Sequence, residues 1–372
     1  MDDKIIMLAS YPYSRAILIK GRLESAGIEC FLANINLVQP DISTGVKIMI
    51  REVDADKAWK IADEVKAEFG LAKQPTVNRL RKVRRILVPV DFSEHSVNAC
   101  NFALGMAHKL KAEIKLLYVY FDPMISTESY LETYPHQFSL DIISGNLEKE
   151  AKEQMENLKT KIIENIKKEK FANIKVSYAL EKGAPDSTIL EYCKSYDPGV
   201  IILGTHGRDD RSGGFFGNVA SKIIEKSTYP VFVIPNNSVF MGINYMNKVV
   251  YATDFDESDF RAIRMLMNLV RPFDIKIYCV HIVSDAQSHF NKSKMEKIRA
   301  YLKQEYSEFN IVCNLIEHSD IMQGLDDYIE DRDIDIIALT THKRGMFDRI
   351  FNPSITRKML FHTNIPLLVF HS

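Results

Sequence analysis

The stretch 204–221, reading Gly204-Thr205-His206-Gly207-Arg208-Asp209-Asp210-Arg211-Ser212-Gly213-Gly214-Phe215-Phe216-Gly217-Asn218-Val219-Ala220-Ser221, carries the densest chemical signal in the chain. The apolar run Val200-Ile201-Ile202-Leu203 precedes it and reads as a buried parallel strand. Val219, Ala220, Ile223 and Ile224 follow with helical spacing. A glycine-rich loop therefore joins the C-terminal end of a strand to the N-terminus of a helix. The first N–H groups of a helix have no intrahelical acceptor, and its dipole favours an anion there. Glycines let the backbone approach a ligand closely. This is the pattern of a phosphate-binding loop, although it lacks the lysine of a Walker motif. The alternative is a surface connector whose glycines serve only turns.

Further candidates converge on the same sheet edge. Asp91 ends the apolar run Ile86-Leu87-Val88-Pro89-Val90, and its carboxylate can accept a hydrogen bond from a ribose hydroxyl. It can equally compete for a helix N-cap. Pro89 and Val90 lead into it, and Leu203 leads into Gly204, so they count with the binding residues. Val119 and Tyr120 end a second strand, where main-chain groups can meet a base. Gly217, Asn218, Val219 and Ala220 open the helix and offer N–H groups to phosphates. His206 can bind phosphate or pack in its turn; Arg208 can face phosphate or solvent. Asp209 and Asp210 are oxygen ligands of the kind Mg²⁺ takes beside a triphosphate, or else solubilise the loop. No serine sits in a nucleophile elbow, and no histidine–carboxylate pair accompanies a nucleophile. Binding, not catalysis, is the expected use.

Strands and helices alternate from residue 86 to 234, which predicts a doubly wound parallel sheet with ligands outside the strand C-terminal ends. Ser93 or Ser96 can cap the helix carrying Ala99, Phe102, Ala103 and Met106. An aperiodic segment spans 122–141, and a charged helix runs from 144 to 168. Strands are expected at 114–120 and 174–180; after the Gly183-Ala184-Pro185 turn, Asp186 or Ser187 can cap the next helix.

The same order returns after residue 245. Val249-Val250-Tyr251-Ala252-Thr253-Asp254-Phe255 echoes residues 86–92, Ile336 to Leu339 echoes the strand at 200–203, and Thr341-His342 echoes Thr205-His206. The Asp91–Asp254 spacing is 163 residues and the His206–His342 spacing is 136, so the first copy carries an insertion after its second strand. This is an internal duplication. The closing strands Val231–Ile234 and Leu367–Phe370 can pair, hiding exposed edges in an internal pseudo-dimer.

Residues 1–70 read β-α-β-β-α, a small α+β unit, with Gly27 at a helix C-terminus and Asp54 capping a second helix that bears Trp59, the chain's single tryptophan. Residues 71–84 form a basic linker.

Three groups of residues carry family resemblances. Gly204, Gly207 and Gly217 fall at the spacing of the G-x2-G-x9-G-(S/T) motif, with Asn218 in the polar position, and Val88-Pro89-Val90-Asp91 and Gly183-Ala184-Pro185 also match. In these respects residues 84–372 resemble the universal stress protein family as two tandem domains, 84–237 and 246–372. The resemblance implies an α/β, adenine-nucleotide alpha-hydrolase-like sheet, ATP or another adenine nucleotide as ligand, dimers through the last strands, and a stress-response role. Leu8-Ala9-Ser10-Tyr11, Leu23 to Ile28 and Val46 to Ile50 resemble a family of small prokaryotic signal-transducing domains, implying regulation or sensing. The second copy departs from the motif: Thr340, Lys343 and Pro353 replace the three glycines, and Ser354 keeps the polar position. Proline lacks an N–H, so this copy is expected to bind nucleotide weakly or not at all, although Lys343 or Arg344 can attract a different anion.

The net charge of -1 gives no global attraction to nucleic acid or membrane. No window approaches the ~20 apolar residues of a membrane span, and no signal peptide is seen. The five cysteines lack metal-ligand spacing and read as reduced thiols of a cytoplasmic protein. Homo-oligomers remain open.

Overall fold

A computed structural model of the chain describes residues 5–11, 13–33, 46–68, 84–120, 137–171, 174–206, 217–235, 246–253, 257–283, 289–341 and 365–371. Gly207, Arg208, Asp209, Asp210, Asp254, His342, Lys343, Arg344, Pro353 and Ser354 lie outside the described residues.

The N-terminal segment runs β1 (Ile5–Tyr11), α1 (Tyr13–Ser25), β2 (Cys30–Ala33), β3 (Val46–Arg51) and α2 (Ala55–Glu68). Its antiparallel sheet has the order β1-β3-β2. Val46, Ile48 and Ile50 alternate inward along β3 and pack against Ala16, Ile19 and Leu23 of α1 and Ala58, Ala62 and Val65 of α2. Gly27 takes φ 77° beyond α1, and the Ile28 N–H closes back on the Leu23 carbonyl at 2.9 Å. That is the left-handed stop a C′ glycine provides. Trp59 is partly buried against this core. Asp54, expected to cap α2, ends the 3-10 turn Glu52–Asp54 ahead of that helix, and its carboxylate is held by Arg51 at 3.1 Å.

The remainder forms one ten-stranded sheet. The first repeat contributes β4 (Arg85–Pro89), α3 (Glu94–Leu110), β5 (Glu113–Tyr120), α4 (Gln137–Lys168), β6 (Val176–Lys182), α5 (Pro185–Tyr196), β7 (Val200–Gly204), α6 (Asn218–Lys226) and β8 (Val231–Ile234). The second contributes β9 (Lys248–Ala252), α7 (Glu257–Val270), β10 (Lys276–Val283), α8 (His289–Glu305), β11 (Asn310–Glu317), α9 (Ile321–Arg332), β12 (Ile336–Thr341) and β13 (Leu367–His371). The order is β11-β10-β9-β12-β13-β8-β7-β4-β5-β6. Each half reverses its winding beside its first strand, between β4 and β7 and between β9 and β12. Those are the switch points where open parallel sheets take ligands.

The central strands β7, β8 and β13 are apolar and buried because both their faces are covered, while the edge strands β6 and β11 carry polar residues. Ile86, Val88, Phe102, Ile202 and Tyr251 lie in one core layer; Leu87, Ile201, Ile223, Val250 and Ile337 lie in the other. All pairs are parallel except β8 with β13, which run antiparallel in the register Leu367↔Val233, Leu368↔Phe232 and Val369↔Val231. The two closing strands thus cover each other's edges. The imidazole of His371 crosses this junction, and its Nε2–H donates to the Ile224 carbonyl at 2.6 Å.

Two local expectations need correction. The segment read as aperiodic over 122–141 turns helical at Gln137, so α4 begins earlier than its charge pattern suggested. Neither Asp186 nor Ser187 caps α5. Pro185 occupies the first turn, Ala184 is the cap residue, and no side chain accepts there. Proline needs no acceptor at that position, so the polar residues after it are freed for other work. Asp186 instead pairs with Lys222 of α6 at 3.1 Å.

Candidate functional site

The first switch point gathers most of the residues singled out above. Pro89 ends β4, and Val90 continues the ladder by donating its N–H to the Leu117 carbonyl at 2.9 Å. In a parallel ladder, alternate residues turn their main-chain groups to the same side. Val119, two residues beyond Leu117, therefore presents its N–H and C=O toward β4's side, beyond the end of that strand. Tyr120 differs from expectation, because its carbonyl accepts the Gly183 N–H at 3.0 Å.

Asp91 follows, and its placement is chemical. Its Oδ1 accepts the Ser93 N–H at 3.1 Å and the Ser93 hydroxyl at 2.6 Å. Ser93 in turn caps α3, accepting the Ser96 N–H at 3.2 Å. Phe92 takes the left-handed φ of 63° between them. The carboxylate is thus clamped at the N-terminus of α3.

Gly204 ends β7 directly beneath α3. A Cβ placed on it would lie 2.8 Å from the His95 carbonyl carbon and carbonyl oxygen. The glycine is required by this close packing, a reason the phosphate-loop reading did not supply. Thr205 then bonds its Oγ1 to His95 Nδ1 at 3.3 Å, and the His95 and His206 rings lie 5.5 Å apart. Burial, followed by the neighbouring His206, holds the His95 imidazole below its ordinary pKa. His95 escaped the sequence reading; its signal was its position in the first turn after the Ser93 cap.

The Gly217 N–H returns to the Thr205 carbonyl at 2.8 Å, closing the loop at its base. Gly217 is the cap residue of α6, and it caps without a side chain. Asn218 is the first helical residue and is exposed, as is Val219, while Ala220 is buried. The N–H groups of 218–220 thus open toward the loop at the positive end of α6. Leu203 is buried beside them in the core.

The second switch point is built differently. Tyr251, Thr253, Asp259 and Thr340 occupy the positions of Val88, Val90, Ser96 and Gly204. Tyr251 is fully buried, and its hydroxyl donates to Asp259 Oδ1 at 2.8 Å and accepts from Thr340 Oγ1 at 2.7 Å. Thr253 donates to Asp259 Oδ2 at 2.6 Å, and His281 Nδ1 donates to the Thr253 carbonyl at 2.8 Å. Burial, followed by the charge of Asp259, pushes the Tyr251 phenol well above its ordinary pKa. Where the first repeat needs a glycine, the second therefore has a hydrogen-bonded polar plug. The sequence comparison caught Thr340 but missed Asp259, which joins Tyr251 and Thr253 into the network that Thr340 enters through Tyr251.

The described residues contain no group of three or more histidine, cysteine or carboxylate side chains arranged to hold a metal ion. Nor is any of their helices long and apolar enough to cross a membrane.

Comparison with known proteins agrees with this architecture. The universal stress protein YxiE of Bacillus subtilis is 28% identical over 151 residues, covering 40% of this chain and 97% of its own. The universal stress protein Slr1230 of Synechocystis is 24% identical over 304 residues, covering 77% of this chain and all of its own. The crystal structure of a universal stress protein from Archaeoglobus fulgidus superposes with a TM-score of 0.57 at 16% identity, over 78% of this chain and 97% of that one. The family model described as "Universal stress protein family" matches residues 82–235 and again 246–371, so this chain belongs to the universal stress protein family, with its domain in tandem.

Proposed function

We propose that the first repeat binds ATP or a related adenine nucleotide and that the protein uses it as a regulatory ligand in stress signalling, in the cytoplasm. The observation that carries this reading is the convergence at one switch point of the clamped Asp91, the Val119 main chain and the N-terminus of α6. Asp91 suits a ribose hydroxyl. Val119 suits the edge of a base. The N–H groups of 218–220, with Gly207 and Arg208 in the loop between, suit the phosphates. Asp209 and Asp210 are the candidates for a Mg²⁺ that travels with a triphosphate.

The second repeat, on this reading, serves as the internal partner of a pseudo-dimer through β8 and β13, and residues 1–70 form a separate sensing unit. Its buried plug supports a structural role for that repeat. The first site binds and does not turn over.

Mass spectrometry of nucleotide carried through purification tests the assignment. Wild-type chain should carry adenine nucleotide, and Gly207→Lys, which copies the second repeat, should lose at least tenfold. Equal content in the two would remove the site assignment. Phosphate release that vanishes in Asp91→Ala would overturn the reading of binding without turnover.

A further inference from the structure

Two of the chain's free cysteines face each other. Cys279 of β10 and Cys313 of β11 stand directly opposite in the parallel register. Both are buried on the sheet face covered by α7 and α8. Neighbouring strands lie about 4.8 Å apart. That falls inside the ~4.4–6.8 Å range of Cα separations that a disulfide spans. β11 is the edge strand of the ten-stranded sheet, so Cys313 lies at the sheet's end and Cys279 one strand inside it.

We propose that Cys279 and Cys313 form a dithiol–disulfide site that is oxidised by peroxide. The pair is asymmetric, as such chemistry requires. Cys313 lies on the edge strand and is 6% exposed, whereas Cys279 is fully enclosed, and the Arg299 charge stands beside Cys313, so a small oxidant reaches Cys313 first. Arg299 is fixed in place by its own hydrogen bond to the Cys313 carbonyl at 3.0 Å. Cys313 is therefore the attacking thiolate and Cys279 the resolving thiol.

The steps balance. Cys313 thiolate attacks one peroxide oxygen, an S–O bond forms, the O–O bond breaks, and hydroxide leaves. Cys279 sulfur then attacks the Cys313 sulfur, the S–S bond forms, and the S–O bond breaks. That hydroxide takes the Cys279 proton and departs as water. The first hydroxide takes the proton lost when Cys313 ionised. Two electrons have passed from the sulfurs to the peroxide, and a dithiol reductant reverses the change. The product ties β11 to β10 covalently, with α8 inside the closed loop.

Cys100 and Cys193 are built-in controls. Each is buried, and burial pushes both thiols up to about 12, so neither offers a thiolate. The full chain is treated with hydrogen peroxide, quenched with an alkylating agent under denaturant, and digested for mass spectrometry. The expected result is loss of two of the five free thiols, a Cys279–Cys313 linked peptide, reversal by dithiothreitol, and Cys100 and Cys193 still alkylated. In Cys279→Ser, Cys313 should stop at sulfenic acid, which dimedone traps. Three outcomes would overturn the proposal in the wild-type chain: oxidation of Cys313 beyond sulfenic acid with no linked peptide, loss of Cys100 or Cys193 at the same rate, or cross-links only between chains through Cys30.

Discussion

Gly204 and His95 are in such close contact that a β-carbon on the glycine would lie 2.8 Å from the His95 carbonyl. Real Cβ atoms do not approach backbone so closely, so α3 would have to shift. Gly204→Ala is therefore expected to destabilise the fold by ~1–3 kcal/mol, the usual cost of overpacking. Because α3 also carries the clamp on Asp91, the shift should lower bound nucleotide at least tenfold. Urea unfolding and nucleotide content read the two effects separately. Unchanged stability would show that α3 yields without cost.

Asp91 and Ser93 form the second testable relationship. Asp91→Ala removes the acceptor of both the Ser93 N–H and the Ser93 hydroxyl. The loss should cost about 1 kcal/mol in stability. Asp91→Asn keeps an oxygen that can accept, so it should keep most of that stability. It loses the charge, however, and charge-assisted hydrogen bonds are roughly twice as strong as neutral ones. Under the nucleotide reading, Asn should bind less than wild type and Ala least, in titration calorimetry with ATP, AMP and cyclic AMP. Equal affinity in all three proteins would detach Asp91 from the ligand.

These relationships show what the sequence made legible. The strand–helix alternation, the duplication and the switch-point location follow from periodicity, because both faces of the sheet's centre are buried and the central strands read as apolar runs. Helix starts were less legible. Gly217 caps α6 with its backbone alone, and Pro185 opens α5 without a side-chain acceptor, so neither leaves a polar signature. The roles of His95 and Asp259 were not legible, because their contacts bridge residues far apart in the chain or depend on how α3 and α7 settle on the sheet. Pattern locates an element, and packing decides which of its polar residues meet.

The plug of the second repeat gives a third expectation. Tyr251→Phe removes one donor to the buried Asp259 and the acceptor of the half-buried Thr340. A buried polar group left without its partner costs about 1–3 kcal/mol. The variant should therefore unfold earlier in urea while the first repeat keeps its nucleotide. Loss of nucleotide as well would mean the two switch points are coupled across the β8–β13 junction.

Asp326 of α9 supplies a pH dependence. It is 8% exposed, its Oδ1 has no hydrogen-bond partner among the described residues, and Glu330, Asp327 and Asp320 stand near it. Burial first, and then these three carboxylates, raise its pKa to about 6. A free aspartate titrates near ~3.9. The folded state thus holds its proton more tightly than the unfolded state does. The penalty of ionising it in the fold is absent below pH ~4, grows as pH rises from ~4 to ~6, and is complete above ~6. Asp326→Asn cannot ionise, so it should be more stable than wild type at pH 8 by ~1–3 kcal/mol, since each tenfold difference in proton affinity between the folded and unfolded states corresponds to about 1.4 kcal/mol. The advantage should shrink toward zero near pH ~4. Calorimetric melting at the two pH values decides the matter, and a gain of the same size at both would assign the effect to shape and not to charge.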